Sequence, residues 1–313
     1  MAQQTESVNP ATGGFNGFSR LHTIDDLNNI MARAAAAQKS WGEMPAGHRV
    51  KYVIKIRDFL IDNSDRIAEI ISRDNGKTRI DALATEILPA SMAISYYCKN
   101  AVSFLKEKKL TGGNIILLNK KSKIVYMPFG VIGIISPWNY PFAIPLSEVI
   151  MGLLAGNAVL LKTASETQMV GLILKEAVES AGLPDGIFNF INMPGKIAGD
   201  AFLDCRVDKI FFTGSVAIGK YLMERASKCL IPVSLELGGN DAMIVCEDAD
   251  PYRAAAGACW AGFQNAGQSC GGVERIYVHE KIYDEFMSIL KDKVGKLRVR
   301  YDYDFNSDMG CMT

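Results

Sequence analysis

Cys270 lies in the run Gly267-Gln268-Ser269-Cys270-Gly271-Gly272, Glu236 in Leu235-Glu236-Leu237-Gly238-Gly239, and Asn139 in Pro137-Trp138-Asn139-Tyr140-Pro141. A thiol, a carboxylate and an amide can together perform one reaction on a carbonyl group. The thiolate attacks the carbon, the amide N–H steadies the oxyanion, and the carboxylate moves protons or activates water. All three sit in Gly- or Pro-rich turns, where backbone can approach a small substrate closely. Cys270 is expected where a loop feeds toward a helix. Glu236 ends an apolar strand, so partial burial and a raised pKa are expected for it. Each residue also has a plainer reading: a core cysteine, an exposed glutamate at a strand end, and an Asx-turn ahead of Pro141. For the other six cysteines (Cys98, Cys205, Cys229, Cys246, Cys259 and Cys311) the core reading is the expectation.

Composition narrows the classes of function. The 313 residues are 49% hydrophobic and 22% charged with a formal net charge of zero, which is ordinary globular material for one or two domains. Neither a nucleic acid nor an anionic membrane surface is called for by that balance. The basic run from Lys106 to Lys123 is broken by Glu107 and Gly112-Gly113 and reads as a solvated edge or loop. No apolar stretch reaches the roughly 18 residues of a membrane helix. The cysteines are scattered, odd in number and without a C-x-x-C pair, as in a reduced, cytoplasmic protein. His22, His48 and His279 are far apart, and no metal-ligand cluster is expected.

Positioning these groups requires a scaffold. Residues 24 to about 108 read as helical, with Thr23 as a capping hydroxyl, Trp41-Gly42 as a stop, Asn75-Gly76 as a left-handed cap and Pro89 as a kink. Ile115-Leu118 and Ile124-Tyr126 read as a hairpin around a Lys-rich turn. From residue 130 onward, β-branched strands alternate with helical stretches: Val131-Ser136, Ala158-Lys162, Ile187-Ile191, Lys209-Phe212 and Val233-Leu237. That pattern is a βαβ series with a parallel sheet buried on both faces. A second α/β start follows, with strands at Ala242-Cys246 and Arg275-His279 and helices at Pro251-Ala266 and Ile282-Leu297. Gly238-Gly239 is the candidate junction between the two blocks.

The Pro-Trp-Asn-Tyr-Pro run, Phe212-Thr213-Gly214-Ser215, the Leu-Glu-Leu-Gly-Gly run and the Gly-Gln-Ser-Cys run occur in an order and spacing that resembles the aldehyde dehydrogenase superfamily, from about residue 8 to the end. The resemblance implies an α/β fold. Its parts are a Rossmann-like parallel-sheet cofactor domain with N-terminal helices, a β-hairpin oligomerisation arm and an incomplete α/β catalytic domain. The implied division is 1–113 for the N-terminal helical part of the cofactor domain, 114–127 for the arm, 128–237 for the NAD(P)-binding domain and 238–313 for the first part of the catalytic domain. It also implies oxidation of an aldehyde to an acid with NAD or NADP, through a thiohemiacetal and then a thioacyl group on Cys270. Asn139 would be the oxyanion donor, alongside the Cys270 backbone N–H, and Glu236 the general base. The cofactor-side positions implied are Ser136, Trp138, Lys162, Ser165, Gly195, Gly214, Ser215, Gly219 and Leu237, with no metal. A homodimer or homotetramer is implied for a full-length protein.

Two departures from the family pattern bear on function. Many members carry a glutamate that grips the ribose 2′-hydroxyl where Ser165 stands in Lys162-Thr163-Ala164-Ser165-Glu166. A serine can hydrogen-bond a 2′-phosphate that a carboxylate would repel, and Lys162 can neutralise it, so NADP is expected to be accepted. Glu166 swinging inward would restore NAD preference. Family members usually run well beyond Thr313, so a C-terminally truncated chain is expected, with exposed apolar surface and weak or no activity. The substrate stays open between succinate semialdehyde and a medium-chain aliphatic aldehyde. Tyr140, Phe142, Trp260 and Phe263 fit either an apolar tunnel or core packing. The alternatives are a non-catalytic nucleotide-binding or structural relative, and a CoA-acylating enzyme, against which Glu236 argues.

Overall fold

The computed structural model describes residues 3–110, 119–301 and 305–313. The chain opens with an antiparallel hairpin, β1 (Gln4–Val8) and β2 (Phe15–Arg20), that its polar composition did not announce. Helix α1 (Ile24–Glu43) starts on Thr23, whose hydroxyl accepts from the Asp26 N–H at 3.0 Å while the Asp26 carboxylate accepts from the Thr23 N–H at 2.9 Å, a full capping box. It does not stop at Trp41. That side chain is buried, and its indole donates to the Leu153 carbonyl at 3.0 Å, so packing carries the helix past it.

Helices α2 (Ala46–Asp62) and α3 (Ser64–Asn75) follow, and α3 ends on Gly76 at φ 86°, as its Asn-Gly signal implies. A methyl group on Gly76 would stand 2.5 Å from the Cys311 sulfur, so close approach as well as conformation requires glycine there. A short α4 (Arg79–Asp81) leads into a π-helical turn over Ala82–Ile87 and then α5 (Leu88–Phe104). Pro89 stands in the first turn of α5, directly after that π-helical turn. Strands β3 (Lys108–Leu110) and β4 (Ser122–Ile124) pair antiparallel and are fully exposed. The expected strand Ile115-Leu118 lies outside the described residues, and the second strand falls two residues earlier than expected.

The sheet that follows is parallel throughout. Its strands are β5 (Val131–Ile135), β6 (Ala158–Lys162), β7 (Phe188–Ile191), β8 (Lys209–Thr213) and β9 (Val233–Glu236), in the spatial order β7-β6-β5-β8-β9. Helices α6 (Ala143–Leu154), α7 (Gln168–Glu179), α8 (Gly195–Asp204) and α9 (Val216–Ser227) connect the strands. Every residue of β5 and β6 is buried, as doubly covered Val/Ile/Leu runs must be. The chain steps outward from β5 to β7, then returns to β5's other side for β8 and β9. The crevice between the carboxyl ends of β5 and β8 is therefore a topological switch point, the place where open α/β sheets bind ligands. One apolar cluster runs from Leu27 to Ala226 and ties α1, α2, α3, α5 and α6 to this sheet.

The last elements are β10 (Asp241–Val245), α10 (Pro251–Phe263), β11 (Val273–Val278) and α11 (Tyr283–Gly295). β10 and β11 form a two-stranded parallel sheet. Val245, Ala255, Ala258 and Phe286 make a second, small apolar cluster, against which Met243 also packs. Strand alternation puts Ile244 and Tyr277 on the opposite face, where they are 74% and 55% exposed. Among the described residues no helix is long and apolar enough to cross a membrane.

Glu148 of α6 has one carboxylate oxygen sealed from solvent and without a hydrogen-bond partner, and burial raises its pKa to about 8. Between the ordinary carboxylate range and pH 8 the unfolded chain is ionised there while the folded one holds the proton. Stability from this site is thus complete in acid and is lost as pH rises through about 8. Glu148→Gln is expected to raise the thermal midpoint more at pH 9 than at pH 5, checked by calorimetry across that range.

Candidate active site

Helix α10 ends at Phe263, and the next residues turn the chain sharply. Asn265, Ala266 and Gly267 have φ values of 54°, 55° and 75°, all in the left-handed region. For Ala266 that conformation stores about 1–3 kcal/mol of strain, which surrounding contacts must hold in place. The buried Asn265 supplies them. Its N–H donates to Asp81 Oδ2 at 3.2 Å, and its Nδ2 donates to the carbonyls of Asn139 at 2.9 Å and Gln268 at 3.1 Å. Gln268 Nε2 returns a bond to the Asn265 carbonyl at 3.1 Å. Cys270 sits in the exposed turn that follows, and the chain then enters strand β11. The expected loop-to-helix setting is therefore corrected: Gly271-Gly272 end the turn and the β-branched residues from Val273 onward extend it as a strand.

Asn139 stands beyond the carboxyl end of β5. Its Nδ2 donates to the Gln268 carbonyl at 3.0 Å, two residues before Cys270, and its Oδ1 accepts from the Tyr140 N–H at 3.0 Å. The amide thus reaches the thiol-bearing loop and also makes a local turn contact. Glu236 closes β9 and is exposed, which corrects the expected burial. It is the last residue of that strand, whose preceding residues Val233, Ser234 and Leu235 are half-buried, and among the described residues β8 is the one strand paired with β9. Its Oε1 accepts from the Gly238 N–H at 3.2 Å. The next turn passes the thiol loop, since a methyl group on Gly239 would stand 3.9 Å from the Cys270 carbonyl. The three segments thus converge at their backbones. Among the described residues no hydrogen bond joins the Glu236 side chain to Cys270 or Asn139.

The cofactor-side positions gather around the switch point. Ser136 follows β5, is buried, and its N–H donates to the Lys162 carbonyl at 3.0 Å. Lys162 is only 5% exposed, and among the described residues no carboxylate lies within ion-pair distance of it. Burial lowers its pKa, with Glu166 opposing. Gly195, at the start of α8, faces it: a methyl group there would stand 3.7 Å from Lys162 Nζ. Ser165 is half-buried and opens a 3-10 turn, while Glu166 is exposed. Gly214 follows β8, and Ser215 caps α9, its hydroxyl accepting from the Ile218 N–H at 3.4 Å. A methyl group on Gly219 would stand 2.4 Å from Leu237 Cδ2, so α9 and the end of β9 pack with no room for a side chain. Trp138 is part-exposed, and its carbonyl accepts from Asn75 Nδ2 at 2.9 Å. An unpaired buried cation and a capped helix N-terminus, both at a switch point, fit the phosphates and ribose of a dinucleotide. Among the described residues no group of three His, Cys, Asp or Glu side chains is placed to hold a metal.

The aromatic residues divide. Phe142 is fully buried core, which excludes it from any open tunnel. Tyr140 donates through its hydroxyl to Gln264 at 3.0 Å. Trp260 and Phe263 line an open groove of about 460 Å³ beside α11, together with Cys259 and Gln264. Sequence reasoning passed over Lys77, Asp81, Glu86 and Asn265. Only Asn265 carried a signal, as an Asn in a Gly-rich segment that tolerates the left-handed region.

The whole chain, residues 1–313, matches the model of the aldehyde dehydrogenase family. It is 36% identical over 307 residues to a 4,4'-diapolycopene aldehyde oxidase of Methylomonas sp, covering 98% of this chain and 57% of that protein. It is 38% identical over 290 residues to a provisionally named succinate-semialdehyde dehydrogenase (NADP(+)) of Mycolicibacterium smegmatis, covering 93% of this chain and 55% of that protein. The fold superposes on the NAD+ complex of an aldehyde dehydrogenase from Bacillus cereus with a TM-score of 0.92 at 28% identity, covering 99% of this chain and 63% of the other. The chain therefore spans just over half the length of the curated relatives it matches.

The cysteines differ enough to be told apart chemically. All seven are unpaired, and burial raises Cys98 and Cys205 to about 11, while Cys270 is exposed. Thiolate is the reactive form, so at pH 8 the two buried thiols are almost wholly protonated and slow. Iodoacetamide is expected to label Cys270 at least tenfold faster than Cys98 or Cys205, an order-of-magnitude expectation of roughly ten, read by peptide mass spectrometry over time.

Proposed function

The chain belongs to the aldehyde dehydrogenase family, and from that premise we propose that the protein oxidises an aldehyde to its carboxylic acid with NAD(P)+, using Cys270 as the nucleophile. The observation that carries this reading is the 3.0 Å bond from Asn139 Nδ2 to the Gln268 carbonyl, which holds an N–H donor beside the thiol-bearing turn. The Cys270 thiolate adds to the aldehyde carbon and its pair of electrons forms the C–S bond. The carbonyl oxygen becomes an oxyanion, to which the Asn139 amide donates. Bound NAD(P)+ supplies the acceptor for the hydride that leaves this carbon. Glu236 takes a proton from water, whose oxygen displaces the Cys270 sulfur and releases the acid. A carboxylate at this position favours hydrolysis over transfer to coenzyme A. The exposure of Glu236 leaves it open to water.

Lys162, Ser165 and Gly195 would hold the adenosine ribose, with Ser136 and Trp138 alongside. Gly214, Ser215 and Gly219 would receive the pyrophosphate at the start of α9, against Leu237. The unpaired Lys162 ammonium and the absence of a carboxylate at position 165 favour acceptance of the 2′-phosphate of NADP. The substrate class is succinate semialdehyde or a medium-chain aliphatic aldehyde. The first is the substrate named for the Mycolicibacterium relative. Residues 128–237 act as the cofactor-binding unit and residues 238–313 contribute the nucleophile. The exposed β3–β4 pair, within the 114–127 region and its flank, serves as the arm of a homodimer or homotetramer. Seven unpaired cysteines suit a reducing compartment, the cytoplasm.

In the full-length protein, Cys270→Ala is expected to abolish aldehyde oxidation. Asn139→Ala is expected to lower kcat by about 10²–10³-fold. Steady-state kinetics with both cofactors test the specificity: NADP is expected to match or exceed NAD, and Ser165→Glu to shift the ratio toward NAD by about tenfold. A wild-type preference for NAD of roughly tenfold or more overturns the specificity, and oxidation that survives Cys270→Ala overturns the mechanism.

A further inference from the structure

Beneath the Asn139 turn lies a buried ion pair that the chemistry just described leaves unused. Lys77 Nζ stands 2.6 Å from Glu86 Oε1, and both side chains are 0% exposed. Lys77 Nζ also donates to the Asn139 carbonyl at 2.9 Å and lies 4.4 Å from the centre of the Tyr140 ring. Glu86 uses its other oxygen to accept from the Phe142 N–H at 2.7 Å and the Ala143 N–H at 3.0 Å. The two side chains therefore grip the 139–143 turn at both ends, through the Asn139 carbonyl and the N–H groups of Phe142 and Ala143.

Stability alone does not call for this arrangement. Desolvating two charges is costly, and packed apolar residues of similar volume often serve a core as well or better. The local backbone is also unusual. Glu86 lies in the π-helical turn over Ala82–Ile87, where the Leu88 N–H bonds back to the Leu83 carbonyl. Such turns are rare and concentrate at functional sites. The Asn139 carbonyl that Lys77 holds also accepts from Asn265 Nδ2 at 2.9 Å, and Asn265 belongs to the thiol loop.

We propose that Lys77, fixed by Glu86, is a positioning residue: it clamps the Asn139 main chain so that the Asn139 side-chain amide stays aimed at the turn that carries Cys270. It touches neither substrate nor thiol and acts through Asn139. The inference rests on the proposed role of Asn139 in aldehyde oxidation.

The test uses the full-length protein and compares Lys77→Met, Asn139→Ala and the variant carrying both. Lys77→Met is expected to lower kcat by about 10–100-fold, the cost of a small misplacement of a reacting group. KM and NADP affinity should stay within about threefold. In the Asn139→Ala background the same substitution should cost almost nothing further, because its effect passes through that amide. Full, independent losses from the two substitutions, or an unchanged kcat in Lys77→Met, overturn the proposal while leaving the dehydrogenase reading intact. Glu86→Gln, which keeps the shape and the lysine, covers the case in which Lys77→Met does not fold, and the same non-additivity is expected of it. Should the wild-type protein fail to oxidise aldehydes, the functional reading fails, and the clamp is judged by NMR instead. The Asn139 side-chain amide resonances, identified by their loss in Asn139→Ala, should move in Lys77→Met or Glu86→Gln, and resonances that stay put overturn it.

Discussion

The main-chain oxygen of Asn139 accepts one hydrogen bond from Lys77 Nζ and one from Asn265 Nδ2, each at 2.9 Å. That single acceptor joins three stretches distant in sequence: the helical segment from α3 to α5, the turn after β5, and the loop between α10 and β11. A carbonyl has two lone pairs, and here each is committed to a different part of the chain. Asn265 extends the junction by bonding Asp81 through its backbone N–H. The left-handed residues of the thiol loop are thereby braced from below. Without that brace the strain at Ala266 would favour relaxation of the very turn that displays Cys270.

The sheet performs a different task. Its strand order brings the carboxyl ends of β5 and β8 side by side. Ser136 and Trp138 follow one, Gly214 and Ser215 follow the other, and Lys162 emerges from the neighbouring strand β6. Nothing about these residues individually marks a common site. Their convergence follows from the reversal of winding direction at β5, which leaves a crevice that no crossover helix fills. Glu236, at the end of β9, is exposed.

Much of this was legible in the residues themselves. The runs Val131–Ile135 and Ala158–Lys162 are too apolar and β-branched to be anything but doubly covered strands. The cap at Thr23 and the left-handed Gly76 follow from short-range chemistry that tertiary contacts did not override. Other features depend on long-range order and left no local trace. The exposure of Glu236 depends on what packs over the end of β9, which its own apolar strand does not reveal. The β1–β2 hairpin has a polar first strand and takes its place through packing. The Lys77–Glu86 pair carries no signal in sequence, since Lys77 stands in the link after Gly76 and Glu86 in the π-helical turn, and only the surrounding core makes it a sealed ion pair. Pro89 marks an irregular place in the helix, and the π-helical turn just ahead of it could not be read from periodicity.

The two apolar clusters are unequal. One extends from Leu27 to Ala226 and includes most of the helices, while the other rests on four fully buried side chains around Phe286. Cys270 is exposed in the turn between α10 and β11, two elements built on the smaller cluster, whereas Asn139 follows β5, a strand of the larger. Cooperative opening is cheapest where the fewest apolar contacts must be broken. On warming, the lesser cluster would loosen first and carry the thiol away from its amide while the main sheet stayed intact. Melting of this chain would accordingly come in two steps, the thiol turn parting from Asn139 before the five-stranded sheet gives way.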